Sequence, residues 1–98
     1  MTNIYKNSVG VIFEISTETD LTTATKTALL VKKPSGKTAI WNAVTFGDPQ
    51  NGILTYSTLS GDLNEDGWIF IQSYAELPNK KLYGSAVKIK ILDTYEVP

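Results

Sequence analysis

The chain contains no cysteine, no histidine and no arginine, and each absence closes a class of chemistry. Without cysteine there is no disulfide framework and no thiolate metal site; without histidine the commonest zinc ligand and the commonest general base are both missing. All nine basic residues are lysine, so the planar bidentate group that suits phosphates and base edges is lacking, and with a net charge of −1 this argues against a nucleic-acid role. Long apolar runs are missing too. Nothing approaches the ~20 residues of a membrane helix, and the N-terminal MTNIYKNS has no charged region followed by an apolar core. With Met1 as the natural start, the expectation is a protein made and kept in the cytosol, without a membrane partner. The 98 residues suffice for one domain, spanning 1–98, and one hydrophobic core.

What is present reads as strands separated by turns. Val9, Val11, Phe13 and Ile15 alternate with Gly10, Glu14 and Ser16, interrupted only by Ile12, which predicts a first strand with one core face. Residues 25–33 place Thr27, Leu29 and Val31 on one side, and KPSGK after them predicts a hairpin into a strand over 38–46. GDPQNG then turns the chain into a strand over 53–58. GWIFIQSYA and YGSAVKIKIL complete six runs, the last with Val87, Ile89 and Ile91 facing one way and Lys88 and Lys90 the other. A seventh short strand fits Asn3 to Lys6. The pattern predicts an antiparallel all-β domain, best built as a two-sheet β-sandwich, with a single helical turn at LSGDLNEDG capped by Ser60 or Asp62.

That last stretch carries the one metal-like motif. In SGDLNEDGWIF, Asp62, Asn64, Asp66 and Gly67 match the first half of a calcium loop, whose oxygen ligands stand at positions one, three and five before a glycine at six. Position twelve, which needs a bidentate acid, is Ser73, and strand rather than helix follows. The expectation is therefore a turn in which Asp62 accepts backbone N–H bonds, and no bound metal or other cofactor. Catalysis is not expected either. Asp62, Glu65 and Asp66 lie on one short turn instead of flanking a cleft, and no histidine can activate the many hydroxyls.

Aromatic residues are the stronger signal for partners. Along GWIFIQSYA, Ile69, Ile71 and Ala75 take one face while Trp68, Phe70 and Tyr74 take the other, so both faces are apolar. Either the second face is covered by loops or by Trp41 from a neighbouring strand, or Trp41, Trp68, Phe70 and Tyr74 contribute to an exposed patch that docks another subunit.

The order of these features resembles a known family. A strand is followed by Asp20-Leu21-Thr22-x-Ala24-Thr25, then Lys33-Pro34-Ser35-Gly36-Lys37, x-Trp41-x-Ala43 and Asn51-Gly52-x-Leu54-x-Tyr56. Gly61-Asp62-Leu63 and Gly67-Trp68-Ile69-x-Ile71-Gln72 come last. From Val9 to Val97 this is similar to the immunoglobulin-like β-sandwich domain of tailed-phage virion proteins, typified by the N-terminal domain of phage baseplate upper proteins. The resemblance implies an immunoglobulin-like sandwich of about seven strands, with Leu63 tucked under a corner between sheets and Gly67 permitting the turn. It implies a structural virion component of tail, baseplate, neck or head, assembled in the host cytoplasm and docking other virion proteins or copies of itself. The alternative of another class is a small carbohydrate- or ligand-binding β-sandwich, with Trp41, Trp68 and Tyr74 stacking on sugar rings.

Overall fold

Strand-forming segments of β-branched and aromatic residues can hold their backbone polar groups only by pairing, and here they pair into two sheets. The computed structural model describes residues 3–95, so Val97, where the resemblance ends, lies outside the described residues. Eight strands follow in order: β1 (Ile4–Tyr5), β2 (Ile12–Ser16), β3 (Lys26–Lys32), β4 (Thr38–Trp41), β5 (Val44–Thr45), β6 (Ile53–Ser57), β7 (Gly67–Leu77) and β8 (Lys80–Leu92). The larger sheet has the order β1-β8-β7-β3-β4, the smaller β2-β6-β5. The all-β expectation holds, and so do the two predicted hairpins, β3–β4 and β5–β6; β7 and β8 form a third, and all are antiparallel.

Between the sheets lies one core. Phe13 and Ile15 of β2 and Leu54 of β6 meet Leu29 and Val31 of β3, Ile69, Ile71 and Ala75 of β7, and Ile91 of β8. At its centre the Trp41 ring stacks on Tyr56, 4.9 Å between centroids and 15° between planes, with Phe13 tilted against it at 5.7 Å. The corner between β6 and β7 is closed by Leu63, which is buried as expected. Gly67 begins β7 at φ +119°, and a side chain there would meet Pro34 at 3.0 Å.

Several expectations are corrected. The strand over 38–46 is two strands, because the chain leaves the larger sheet after Trp41 and joins the smaller one at Val44. Asn42 and Ala43 make the passage, with the Ala43 carbonyl accepting a 2.7 Å bond from the Thr27 hydroxyl. β1 runs parallel to β8, so the sheets are not wholly antiparallel. The first strand starts at Ile12, not Val9, because Asn7 and Gly10 both turn at positive φ and leave Val9 outside. LSGDLNEDG forms turns without a helix; the one helical turn among the described residues is the 3-10 segment Pro49–Asn51, capped by Asp48, which accepts from the Gln50 N–H at 3.0 Å.

β8 also departs from simple alternation. Gln72 of β7 faces Ala86 while Tyr74 faces Tyr83, so β8 carries an extra residue at Gly84 and Ser85. The bulge frees the Gly84 carbonyl, which accepts a 2.9 Å bond from the Gln72 amide. Beyond it Val87, Ile89 and Ile91 do share the inner face, yet burial is graded: Ile91 is sealed, Ile89 half-buried and Val87 40% exposed. Three strands cannot cover five, and the cover gives out along β8 away from the Leu63 corner.

Candidate functional site

At the corner, the three residues of the calcium-like motif are engaged separately. The Asp62 carboxylate accepts from the Leu59 N–H at 2.7 Å and from the Tyr56 hydroxyl at 2.5 Å, tying the turn to the core ring stack. Burial and this bond together push the Tyr56 hydroxyl up to about 12. Asn64 accepts instead from the Lys33 ammonium at 2.8 Å, and Asp66 lies 3.8 Å from Lys6, itself paired with Asp93 at 3.1 Å. Glu65 accepts from the Ser35 N–H and hydroxyl, and the hydroxyl bond holds its carboxyl below the usual range. Among the described residues no three acidic side chains converge on a point that could hold a metal ion. The corner acts chemically as a clasp between the β3–β4 hairpin, the β6–β7 connection and the chain leaving β1.

The other candidate is the outer face of the larger sheet, and strand register builds it. Residues directly opposite in an antiparallel pair share a face, so three rows run across the sheet. One is Ile40, Leu30, Gln72 and Ala86; the next is Lys32, Phe70 and Lys88; the third is Trp68 and Lys90. Trp68 and Phe70 are 44% and 41% exposed, unusual values for large apolar groups on a central strand, and Ile40 on the edge strand β4 is 64% exposed. The Lys88 ammonium lies 4.3 Å from the Trp68 ring centroid, a cation–π contact that holds one ring face. An open groove of about 570 Å³ follows the first two rows between Ile40, Leu30, Phe70 and Ala86, and a second depression continues from it past Lys32 and Trp68 to Pro34.

Of the four aromatics expected together, the structure assembles three. Trp68, Phe70 and Tyr74 share this face, Tyr74 packing on Tyr83 at 5.0 Å and donating to Glu76 at 2.7 Å. That bond, with burial second, pushes the Tyr74 hydroxyl up to about 12. Trp41 is not with them. It pairs with Leu29 on the inner face and is 2% exposed, so it neither joins the patch nor covers it. Sequence reading missed Ile40, Leu30, Lys32 and Lys88 as members of the face. Their signal was the alternation along LLVK and AVKIK, legible only once each strand's neighbour is known.

The face is also strongly one-signed. Among the described residues its strand rows carry Lys26, Lys32, Lys81, Lys88 and Lys90 against a single acid, Glu76, in a chain whose net charge is −1. No family model matches the chain, and neither a curated protein nor a solved structure matches it.

Proposed function

We propose that this protein is a non-catalytic structural component of a tailed-phage virion, an immunoglobulin-like sandwich that docks onto a neighbouring protein through the outer face of its larger sheet. The observation that carries the reading is the exposure of Trp68 and Phe70 at the centre of that face, beside a groove walled by Ile40, Leu30 and Ala86. A contiguous apolar and aromatic surface rimmed by charge is what protein interfaces bury. The virion assignment is supported by the order of turn and strand motifs from Val9 onward, and the sandwich by the two packed sheets. A non-catalytic role is favoured because the acids of the corner are spent on the hydrogen bonds of a turn. The sugar-binding alternative is weakened, since Trp41 lies in the core and one face of Trp68 is occupied by Lys88.

Trp68→Ser and Phe70→Ser test the reading. Both variants are expected to keep the wild-type circular dichroism spectrum and to be missing from purified particles, measured by mass spectrometry against wild type. Normal incorporation of both would sink it, and a saturable change in tryptophan fluorescence on adding oligosaccharide would favour the alternative.

A further inference from the structure

The smaller sheet is the opposite of the larger one in charge. From residue 7 to residue 25 and again from 38 to 79 the chain contains no lysine, so β2, β5, β6, the connection over 17–25 and the turn over 46–52 carry acids and no base: Glu14, Glu18, Asp20 and Asp48. Glu14 sits on the outer face of that sheet in one row with Thr55 and Val44, next to the row of Ile12 and Ser57. Val44 is 61% and Ile12 65% exposed. Glu18, Asp20 and Asp48 are exposed in loops at one end, joined by the bonds from Thr17 N–H to the Gly52 carbonyl and from Leu21 N–H to the Pro49 carbonyl. The middle strand of the smaller sheet contributes Thr55 and Ser57 to this face, so Ile12 and Val44 stand on its two edges. The two outer faces of one molecule therefore both present exposed apolar side chains and are opposite in sign.

We propose that copies of this chain associate head to tail, the lysine-bearing outer face of the larger sheet in one copy seating on the acidic outer face of the smaller sheet in the next. Side chains of flat strand rows interdigitate when sheets stack ~10 Å apart, which is how Ile40 and Phe70 would meet Val44 and Ile12. Lys32, Lys88 and Lys90 then face Glu14 and the acidic loops, whereas a two-fold contact between identical faces would bring the lysines together and be repelled. The contact is heterologous: each copy keeps one free face after binding, and assembly runs on as a stack or closes as a ring. This names a second copy as the partner at the docking face and rests on that face being a docking surface.

Sedimentation velocity tests it, on wild type and on two variants with wild-type circular dichroism, Phe70→Ser/Lys88→Gln and Val44→Ser/Glu14→Gln. Wild type should self-associate with rising concentration, and raising salt from low to molar should weaken association about tenfold, since exposed charges are screened beyond ~3 Å at 1 M. Each variant alone should be monomeric. Mixed, they should form a 1:1 heterodimer and stop, because each retains the face the other has lost. Three results would overturn the proposal: a wild type that is monomeric to about 0.5 mM, a range that would detect even weak contacts; a Val44→Ser/Glu14→Gln variant that still dimerises, which means a two-fold contact; or a monomeric wild type that retains a single-stranded oligonucleotide, which means a polyanion on the lysines. A monomeric wild type whose Trp68→Ser variant is still lost from particles leaves the docking role standing with a different partner.

Discussion

The two tryptophans occupy opposite sides of one sheet. Trp41, on edge strand β4, is sealed beneath the smaller sheet against Tyr56, whereas Trp68, at the start of central strand β7, faces outward under Lys88. An edge position would ordinarily be the more exposed of the two, so strand position does not decide burial here. Parity does: Trp41 shares a row with Leu29, and Trp68 shares one with Lys90. Large aromatic groups thus stand in two settings in this molecule, holding the sheets together on one side and exposed on the other.

The largest test of that contrast is truncation of each ring. Trp41→Ala should cost about 3–5 kcal/mol by leaving a cavity against Phe13 and Tyr56, and Trp68→Ala less than about 1 kcal/mol. At about 4–8 °C per kcal/mol for a domain of this size, thermal denaturation separates the two clearly. Trp41→Phe sharpens the comparison: it keeps a ring on Tyr56 and removes an indole N–H that has no hydrogen-bond partner among the described residues, so it should cost less than half as much as alanine. Equal losses for Trp41→Ala and Trp68→Ala would show that both rings are core.

A smaller effect should separate the two faces of β7 at the bulge. A side chain at Gly84 would come within 2.1 Å of the Ser73 hydroxyl, on the inner face, but 3.4 Å from its Cβ. Gly84→Ala should therefore destabilise by about 1–3 kcal/mol, an overpacking cost. Ser73→Ala in the same chain should restore most of it, and a double-mutant cycle in urea reads the coupling. An additive pair would mean the bulge relaxes outward instead.

The corner should respond more weakly. Asp62→Ala is expected to cost about 1–2 kcal/mol through loss of the Leu59 and Tyr56 bonds, and excess calcium should not shift the melting temperature of wild type relative to chelator. A calcium-dependent rise of about 10 °C, the size full occupancy of a real site implies, would make the loop a metal site. Smallest of all is the alkaline limit. Tyr56 and Tyr74 are both raised to about 12 from an ordinary 10, so the folded state favours their protonated forms. Their contribution is complete below pH 10 and is lost as pH rises through 12. Melting temperature should fall over that window, less steeply in Tyr56→Phe, and absorbance titration should show late-ionising tyrosines.

Much of this architecture was legible because period-two alternation and turn chemistry are local. KPSGK, the Asp-Pro and Asn-Gly of GDPQNG, and the two-faced GWIFIQSYA all carry their outcome within a few residues. What failed was non-local. TAIWNAVTF looks like one strand because nothing in its residues announces that Asn42 and Ala43 carry it from one sheet to the other. Both sequence readings of Trp41, as cover for the aromatic face or as part of an exposed patch, miss its inward position for the same reason, since parity says which residues share a face but not which face is roofed. The Gly84 bulge is invisible until Ser73 is known to stand opposite. Of the candidate site, Trp68, Phe70 and Tyr74 could be named in advance; the lysine rows beside them required the register of three strands.

The parallel pairing of β1 with β8 has a mechanical consequence. Ile4 lies beside Ile91 and Tyr5 beside Leu92, with the Lys6 N–H donating to the Leu92 carbonyl at 2.7 Å, so the chain before β1 and the chain after β8 leave this pair in opposite directions. Tension applied between them slides the two strands past each other and strains these bonds simultaneously, instead of peeling them one at a time. Tension applied instead between Asn7, just after β1, and Asp93, just after β8, acts at one end of the pair and would unzip it. Single-molecule pulling in the two geometries should give a higher rupture force in the first.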